Sequence, residues 1–294
     1  MMIRFKKSKC IGGIFLALLL CNACASRKPF AATNKVYEQQ VESAITLIKA
    51  PLPKPAPMDS STILLSKEKE KLDQIDWVGT TNFGLRKPNF VILHHTAQDS
   101  IEQTLHTFTL PRTQVSAHYV IDKAGNVYHI LNDYLRAWHA GIARWGSLSD
   151  INSISIGIEI DNNGTDPYTE PQISNLLCLL DSLKTTYKIP AENFIGHGDI
   201  APGRKVDPGV NFPWEKLAKK GFGLWYASDS LQTPPANFNP VDGLRILGYD
   251  TRNTPEAIKA FKRHFTPLED QSTAEWSPFS LSVLYNLYSK KSGL

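Results

Sequence analysis

Cysteine is scarce in this chain. It has four among 294 residues. Cys10, Cys21 and Cys24 all lie in the first two dozen positions, so Cys178 is left by itself and no intramolecular disulfide framework is available. The core must therefore be held by packing alone, and Cys178, in the apolar stretch 176–180, is expected to be a small buried hydrophobe. Membrane-length apolar runs are lacking as well. The run at 11–20 is too short to cross a bilayer, and behind Arg4, Lys6, Lys7 and Lys9 it reads as a secretory signal over residues 1–23. Net charge is the third absence. Those four basic side chains account for the whole formal excess of +4, so the chain beyond them is neutral on balance. No basic footprint for nucleic acid remains, and no nucleic-acid partner is expected. Internal repeats are missing, as is the His-Glu-x-x-His helix of one large class of zinc peptidases.

What the chain does have begins at the end of the signal. Cys24 follows Ala23 and is followed by polar Ser26, Arg27 and Lys28, which favours lipid modification at Cys24 and a tether that does not span the membrane. Ala23-Cys24-Ala25 also fits a small-residue cleavage site that would release a soluble protein. Both routes take the chain out of the cytoplasm. About 270 residues then remain, enough for two domains.

The expected organisation is an N-terminal arm at 24–75, a catalytic domain at 76–227, a linker at 228–240 and a small helical domain at 241–294. The arm carries a short helix at 37–49, with Val41, Ala44, Ile45 and Ile48 at helical spacing, and a polyproline spacer at 51–57. In the main domain a buried strand is expected at 90–94 and a helix at 101–110, capped by Asp99 or Ser100. A hairpin turns at Lys123-Ala124-Gly125-Asn126, another strand covers 153–160, and a helix covers 171–187 with Pro171 in its first turn. Strands alternating with helices give an α/β fold, a mixed central β-sheet flanked by helices. The tail adds a small all-α three-helix domain. Its middle helix is capped by Thr254 and its last helix covers 280–289.

Chemistry concentrates at two places. His94 closes the strand at 90–94, and His197 opens the run His197-Gly198-Asp199-Ile200-Ala201-Pro202-Gly203-Arg204-Lys205-Val206-Asp207-Pro208-Gly209. Its glycines and prolines predict a rigid loop in place of a helix. Two histidines and an aspartate suffice to hold one zinc ion with a fourth position open, and both Asp199 and Asp207 are candidates for the carboxylate. His95 is expected on the opposite face of the strand, and His118 as a satisfied core imidazole.

Five ordered motifs carry a resemblance. His94-His95-Thr96-Ala97, Ser116-Ala117-His118-Tyr119, Ala137-Trp138-His139-Ala140-Gly141, Ser155-Ile156-Gly157-Ile158-Glu159 and the run from His197 to Lys205 occur in that order. Over roughly 80–225 they resemble the zinc-dependent N-acetylmuramoyl-L-alanine amidases of the AmpD/AmiD type, built on the peptidoglycan-recognition fold. The resemblance makes His94, His197 and Asp207 the ligands of one zinc ion, Glu159 the catalytic proton carrier and Lys205 the group that stabilises the oxyanion. His139 and Arg204 become candidates for substrate binding. It implies a peptidoglycan or muropeptide substrate cut between N-acetylmuramic acid and L-alanine, with the tail resembling a peptidoglycan-binding module. The signal and tail point to the AmiD-like branch, a lipoprotein of the periplasm anchored to the outer membrane. A non-catalytic peptidoglycan binder and a stem-peptide metallopeptidase are the competing readings. The complete set of ligands, glutamate and lysine weighs against the first, and the motif order against the second.

Overall fold

The computed structural model describes residues 30–49, 82 and 84–293. The expected signal, Cys24 and the expected polyproline spacer lie outside the described residues. The chain divides into two units at Val78/Gly79. From the first unit the structure describes helix α1, Ala31–Lys49, which begins earlier than the apolar spacing predicts and has no buried residue.

The second unit is built on a five-stranded sheet. Its strands are β1 (Phe90–His95), β2 (Tyr119–Ile121), β3 (Val127–His129), β4 (Ser155–Ile160) and β5 (Phe194–Gly196), in the spatial order β3-β2-β4-β1-β5. β2 and β3 form the expected antiparallel hairpin, whereas β1, β2, β4 and β5 run parallel, so the sheet is mixed. β1 lies inside the sheet between β4 and β5 and is buried along Phe90–His94, which explains the unbroken apolar run that precedes His94.

Helices flank the sheet. α2 (Ile101–Thr109) starts at Ser100, whose hydroxyl accepts from Gln103 N at 3.2 Å. α3 (Ile151–Ile154) is a single turn leading into β4, so the predicted strand at 153–160 starts two residues later than expected. α4 (Glu170–Tyr187) is capped reciprocally by Thr169 and Gln172. It buries Ile173, Leu176, Leu180, Leu183 and Tyr187 against the sheet. Cys178 falls two residues from both Leu176 and Leu180, on the other side of this helix, and is exposed. The expectation of a buried cysteine fails because a period of 3.6 residues turns that position outward.

α5 (His197–Ile200) and α6 (Trp214–Lys219) follow β5. α5 corrects the expectation of a helix-free loop. The one turn fits before Pro202, closes with Ala201 N donating to His197 O at 3.1 Å, and is capped where Gly196 N donates to the Asp199 carboxylate at 2.8 Å.

Three further helices complete the unit: α7 (Pro240–Leu247), α8 (Thr254–Phe265) and α9 (Pro278–Ser292). Asn253 caps α8 in place of Thr254, which is itself helical. Leu244, Leu247, Phe261, Phe265, Val283, Leu284 and Leu287 form their common core. Gly248 ends α7 at φ 120°, and a β-carbon there would sit 2.4 Å from the Trp145 ring. Only glycine lets this turn close against that indole.

Candidate metal and catalytic site

Parallel pairing aligns the carboxyl ends of three neighbouring strands, the edge where sites gather in such sheets. His94 lies near the end of β1 and is paired in register with Glu159 near the end of β4. His197 directly follows β5 as the first residue of α5. Chain segments more than a hundred residues apart thereby converge. His94 Nδ1 is 2.9 Å from His197 Nδ1 and 3.0 Å from Asp207 Oδ2, and His197 Nδ1 is 2.9 Å from the same oxygen. All three side chains are buried.

The hydrogen bonds behind these atoms say which ring nitrogens are free. The hydroxyl proton of Ser155 is committed to Ile151 O at 2.6 Å, so Ser155 Oγ accepts from His139 Nε2 at 3.2 Å. His139 is neutral, because burial and the neighbouring His94 push its pKa well below the ordinary value. Its bare Nδ1 therefore accepts from His94 Nε2 at 3.1 Å. Burial and the charge of His197 push His94 down to about 4, so it is neutral too and its Nδ1 keeps a lone pair. His197 Nε2 donates to Ala140 O at 3.0 Å, a carbonyl shared with Arg204 Nη2 at 2.6 Å, and its Nδ1 is likewise directed inward.

Two imidazole lone pairs and a carboxylate oxygen thus face one point. Acceptors packed so closely repel one another unless a cation lies between them. The set fits zinc: ligand atoms about 2.0–2.2 Å from a tetrahedral ion stand roughly 3.3 Å apart, close to what is observed.

Glu159 is beside this point. Its Oε2 is occluded and has no hydrogen-bond partner among the described residues. Burial first, and then the negative charge of Asp207, push its carboxyl up to about 8, with the Lys205 charge pulling the other way. Lys205 also acts electrostatically on His94, and it makes no ion pair or hydrogen bond through Nζ among the described residues. The backbone of the loop is fixed around these groups. Gly198 N donates to Asp207 O at 2.7 Å, Tyr168 Oη donates to Pro208 O at 2.6 Å, and the Asp207–Pro208 peptide is cis.

The expected site residues do not all end up at the centre. His139, a candidate either for the substrate groove or for a hydrogen-bonded loop role, is only 9% exposed and spends both ring nitrogens on His94 and Ser155. It lies behind the ligand, because Asn152 Oδ1 pins its backbone and that of Ala140, and because Gly157 leaves room for the ring. Arg204 keeps an exposed position, but Nε and Nη2 are clamped on Ile142 O and Ala140 O. Asp199, the competing carboxylate, faces away from the cluster onto Gly196, Tyr249 and His264. Sequence reasoning missed Ser155 and Gly157. A glycine inside an apolar strand was the available signal of close approach. His118 is a core imidazole as expected, fully buried and accepting from Gly157 N at 3.0 Å.

The chain is similar to known proteins. Residues 84–210 match the N-acetylmuramoyl-L-alanine amidase family model. The N-acetylmuramoyl-L-alanine amidase AmiD of Escherichia coli is 33% identical over 208 residues, covering 60% of this chain and 74% of that protein. The structure of E. coli AmiD with anhydro-N-acetylmuramic acid-L-Ala-D-γ-Glu-L-Lys superposes with a TM-score of 0.63 at 28% identity, over 74% of this chain and 94% of that one. AmpDh3 of Pseudomonas aeruginosa, solved with an anhydromuramic pentapeptide, gives 0.63 at 26% identity over 80% and 98%. The chain belongs to the N-acetylmuramoyl-L-alanine amidases of the AmpD/AmiD type.

Proposed function

We propose that this chain is a zinc-dependent hydrolase that cuts the amide between N-acetylmuramic acid, intact or anhydro, and the L-alanine of the stem peptide. The observation that carries the reading is the convergence of His94, His197 and Asp207 beside the buried carboxyl of Glu159, whose Oε2 has no hydrogen-bond partner among the described residues. Substrates of this class are named with the solved structures of AmiD and AmpDh3. His94, His197 and Asp207 would hold the ion, which supplies a Lewis acid to the scissile carbonyl and an acidified water.

The remaining work falls to this chain's own side chains. Glu159 Oε2 takes the proton of the attacking water and delivers it to the departing alanine nitrogen, a task suited to a carboxyl whose affinity for protons is raised. Lys205, which makes no ion pair among the described residues, counters the negative charge that develops on the carbonyl oxygen. Burial of the ligands lowers the local dielectric, so the charges interact more strongly than they would in bulk water.

The reading extends to location: a lipid at Cys24 would tether the enzyme to the periplasmic face of the outer membrane, where peptidoglycan lies within reach. A Cys24→Ser chain should then lose palmitate labelling and detergent-phase partitioning, and unchanged partitioning would remove the anchor. For the activity, purified muropeptides are incubated with residues 26–294, with and without chelator, and analysed by mass spectrometry. Free stem peptides beginning with L-alanine, lost on chelation and restored by zinc, are expected. Intact muropeptides at saturating zinc would indicate a binder, and cuts within the stem a peptidase.

A further inference from the structure

The three-helix tail is joined to the metal site through Asp199. This residue is 4% exposed, and both of its carboxylate oxygens are occupied. Oδ2 accepts from Gly196 N at 2.8 Å and from His264 Nδ1 of α8 at 2.7 Å, while Oδ1 accepts from Tyr249 Oη at 2.8 Å. Tyr249 and His264 are as deeply buried as Asp199. The His264 ring lies flat on Trp214 of α6, with centroids 3.9 Å apart and planes 14° from parallel.

The significance lies in three consecutive residues of α5. His197 contributes a donor to the metal cluster. Gly198 N holds the backbone of a second donor through Asp207 O at 2.7 Å, and Asp199 fastens the same turn to the tail. A four-residue helix has little stability of its own, so its orientation must come from such contacts. A second link runs alongside. Gly146 N donates to Gly248 O at 2.6 Å, on the segment whose Ala140 O fixes the tautomer of His197.

We infer that the tail is a structural part of the zinc site: Tyr249 and His264, acting through Asp199, are positioning residues that hold α5 so that His197 and Asp207 meet His94 at ligand distance. This rests on the zinc reading above. It gives the tail a role separate from any contact with the cell wall. Zinc itself is the ligand concerned.

The test uses the full chain after the signal, with zinc affinity measured by competition against a chelating dye and thermal unfolding followed with and without zinc. Tyr249→Phe removes one hydroxyl and leaves the ring packing, so it isolates the hydrogen bond. His264→Leu removes the other donor, and His264→Asn restores an N–H near the position of Nδ1. Zinc affinity should fall about tenfold in Tyr249→Phe and His264→Leu, the fold-change expected for losing a hydrogen bond to a buried charge. His264→Asn should recover to within about threefold, and KM at saturating zinc should stay at the parental value. If affinity stays within twofold of the parent while melting temperature falls equally with and without zinc, the contact is a general fastening of the fold and the inference is wrong. If the parent chain itself binds no zinc, it is the metal reading that fails.

Discussion

Glu159 shows how a single residue takes its chemistry from its place in the sheet. Register with His94 sets it at the cluster, and burial together with the Asp207 charge raises its affinity for a proton. Since it is assigned to proton transfer and not to coordination, Glu159→Gln should keep its zinc while turnover falls by about 10²- to 10⁴-fold. Zinc content by atomic absorption and muropeptide release together check this, and loss of zinc would reassign the residue as a ligand. The raised pKa also has a consequence for stability. A group that binds its proton more tightly when folded stabilises the fold fully below its unfolded pKa, and that contribution is lost as pH rises through the folded value. For the metal-free chain the window runs from about 4.5 to about 8. Glu159→Gln removes the dependence, so its melting temperature relative to the parent should rise steadily across that window. A constant difference would show that the carboxyl titrates normally. The sequence singled out Glu159 and Lys205 because they sit in ordered motifs, and Asp207 because it follows the last of them. His139 was left open between a groove and a hydrogen-bonded loop role because its motif fits both, and the partners of its two nitrogens favour the second.

At the scale of elements, β4 has to serve both neighbours at once. It carries Glu159 near its end and, two residues earlier, Gly157, where a β-carbon would lie 2.4 Å from His139 Cγ. Gly157→Ala therefore drives a methyl into the imidazole that supports His94. A cost of about 1–3 kcal/mol is expected, measured by urea unfolding of the metal-free chain, with weaker zinc retention as the ring is displaced. Unchanged stability would mean that His139 has another place to go. The strands and long helices were readable because their periodicities are clean: β1 is apolar up to His94 and α4 has a regular stripe. Two features were not. α5 is too short for a period to register and is made by Asp199 capping Gly196, a tertiary arrangement. Cys178 was misread because a run of neighbouring leucines hid which face it occupied.

For the whole molecule, the donors come from β1, from α5 and from the loop after it, and the register of the sheet brings them together. A metal bound there joins chain segments that unfolding would separate, so its binding energy adds to the stability of the folded state. At free zinc 100 times its dissociation constant the gain is about 2.7 kcal/mol. For a folded unit of this size that corresponds to a rise in melting temperature of roughly 5–10 °C. Chelation should remove the shift, and Asp207→Ala should abolish it, because that variant leaves two imidazoles and no carboxylate to balance the ion's charge. Calorimetry of parent and variant, each with zinc and with chelator, checks this. The tail makes the measurement sharper. Because α5 is hydrogen-bonded to Tyr249 and α8 as well as carrying His197, the added stability should extend to the tail helices, so that the unit unfolds in one transition with zinc bound. A zinc-dependent shift confined to an early transition, with a second one unmoved by the metal, would show that the tail unfolds independently of the site.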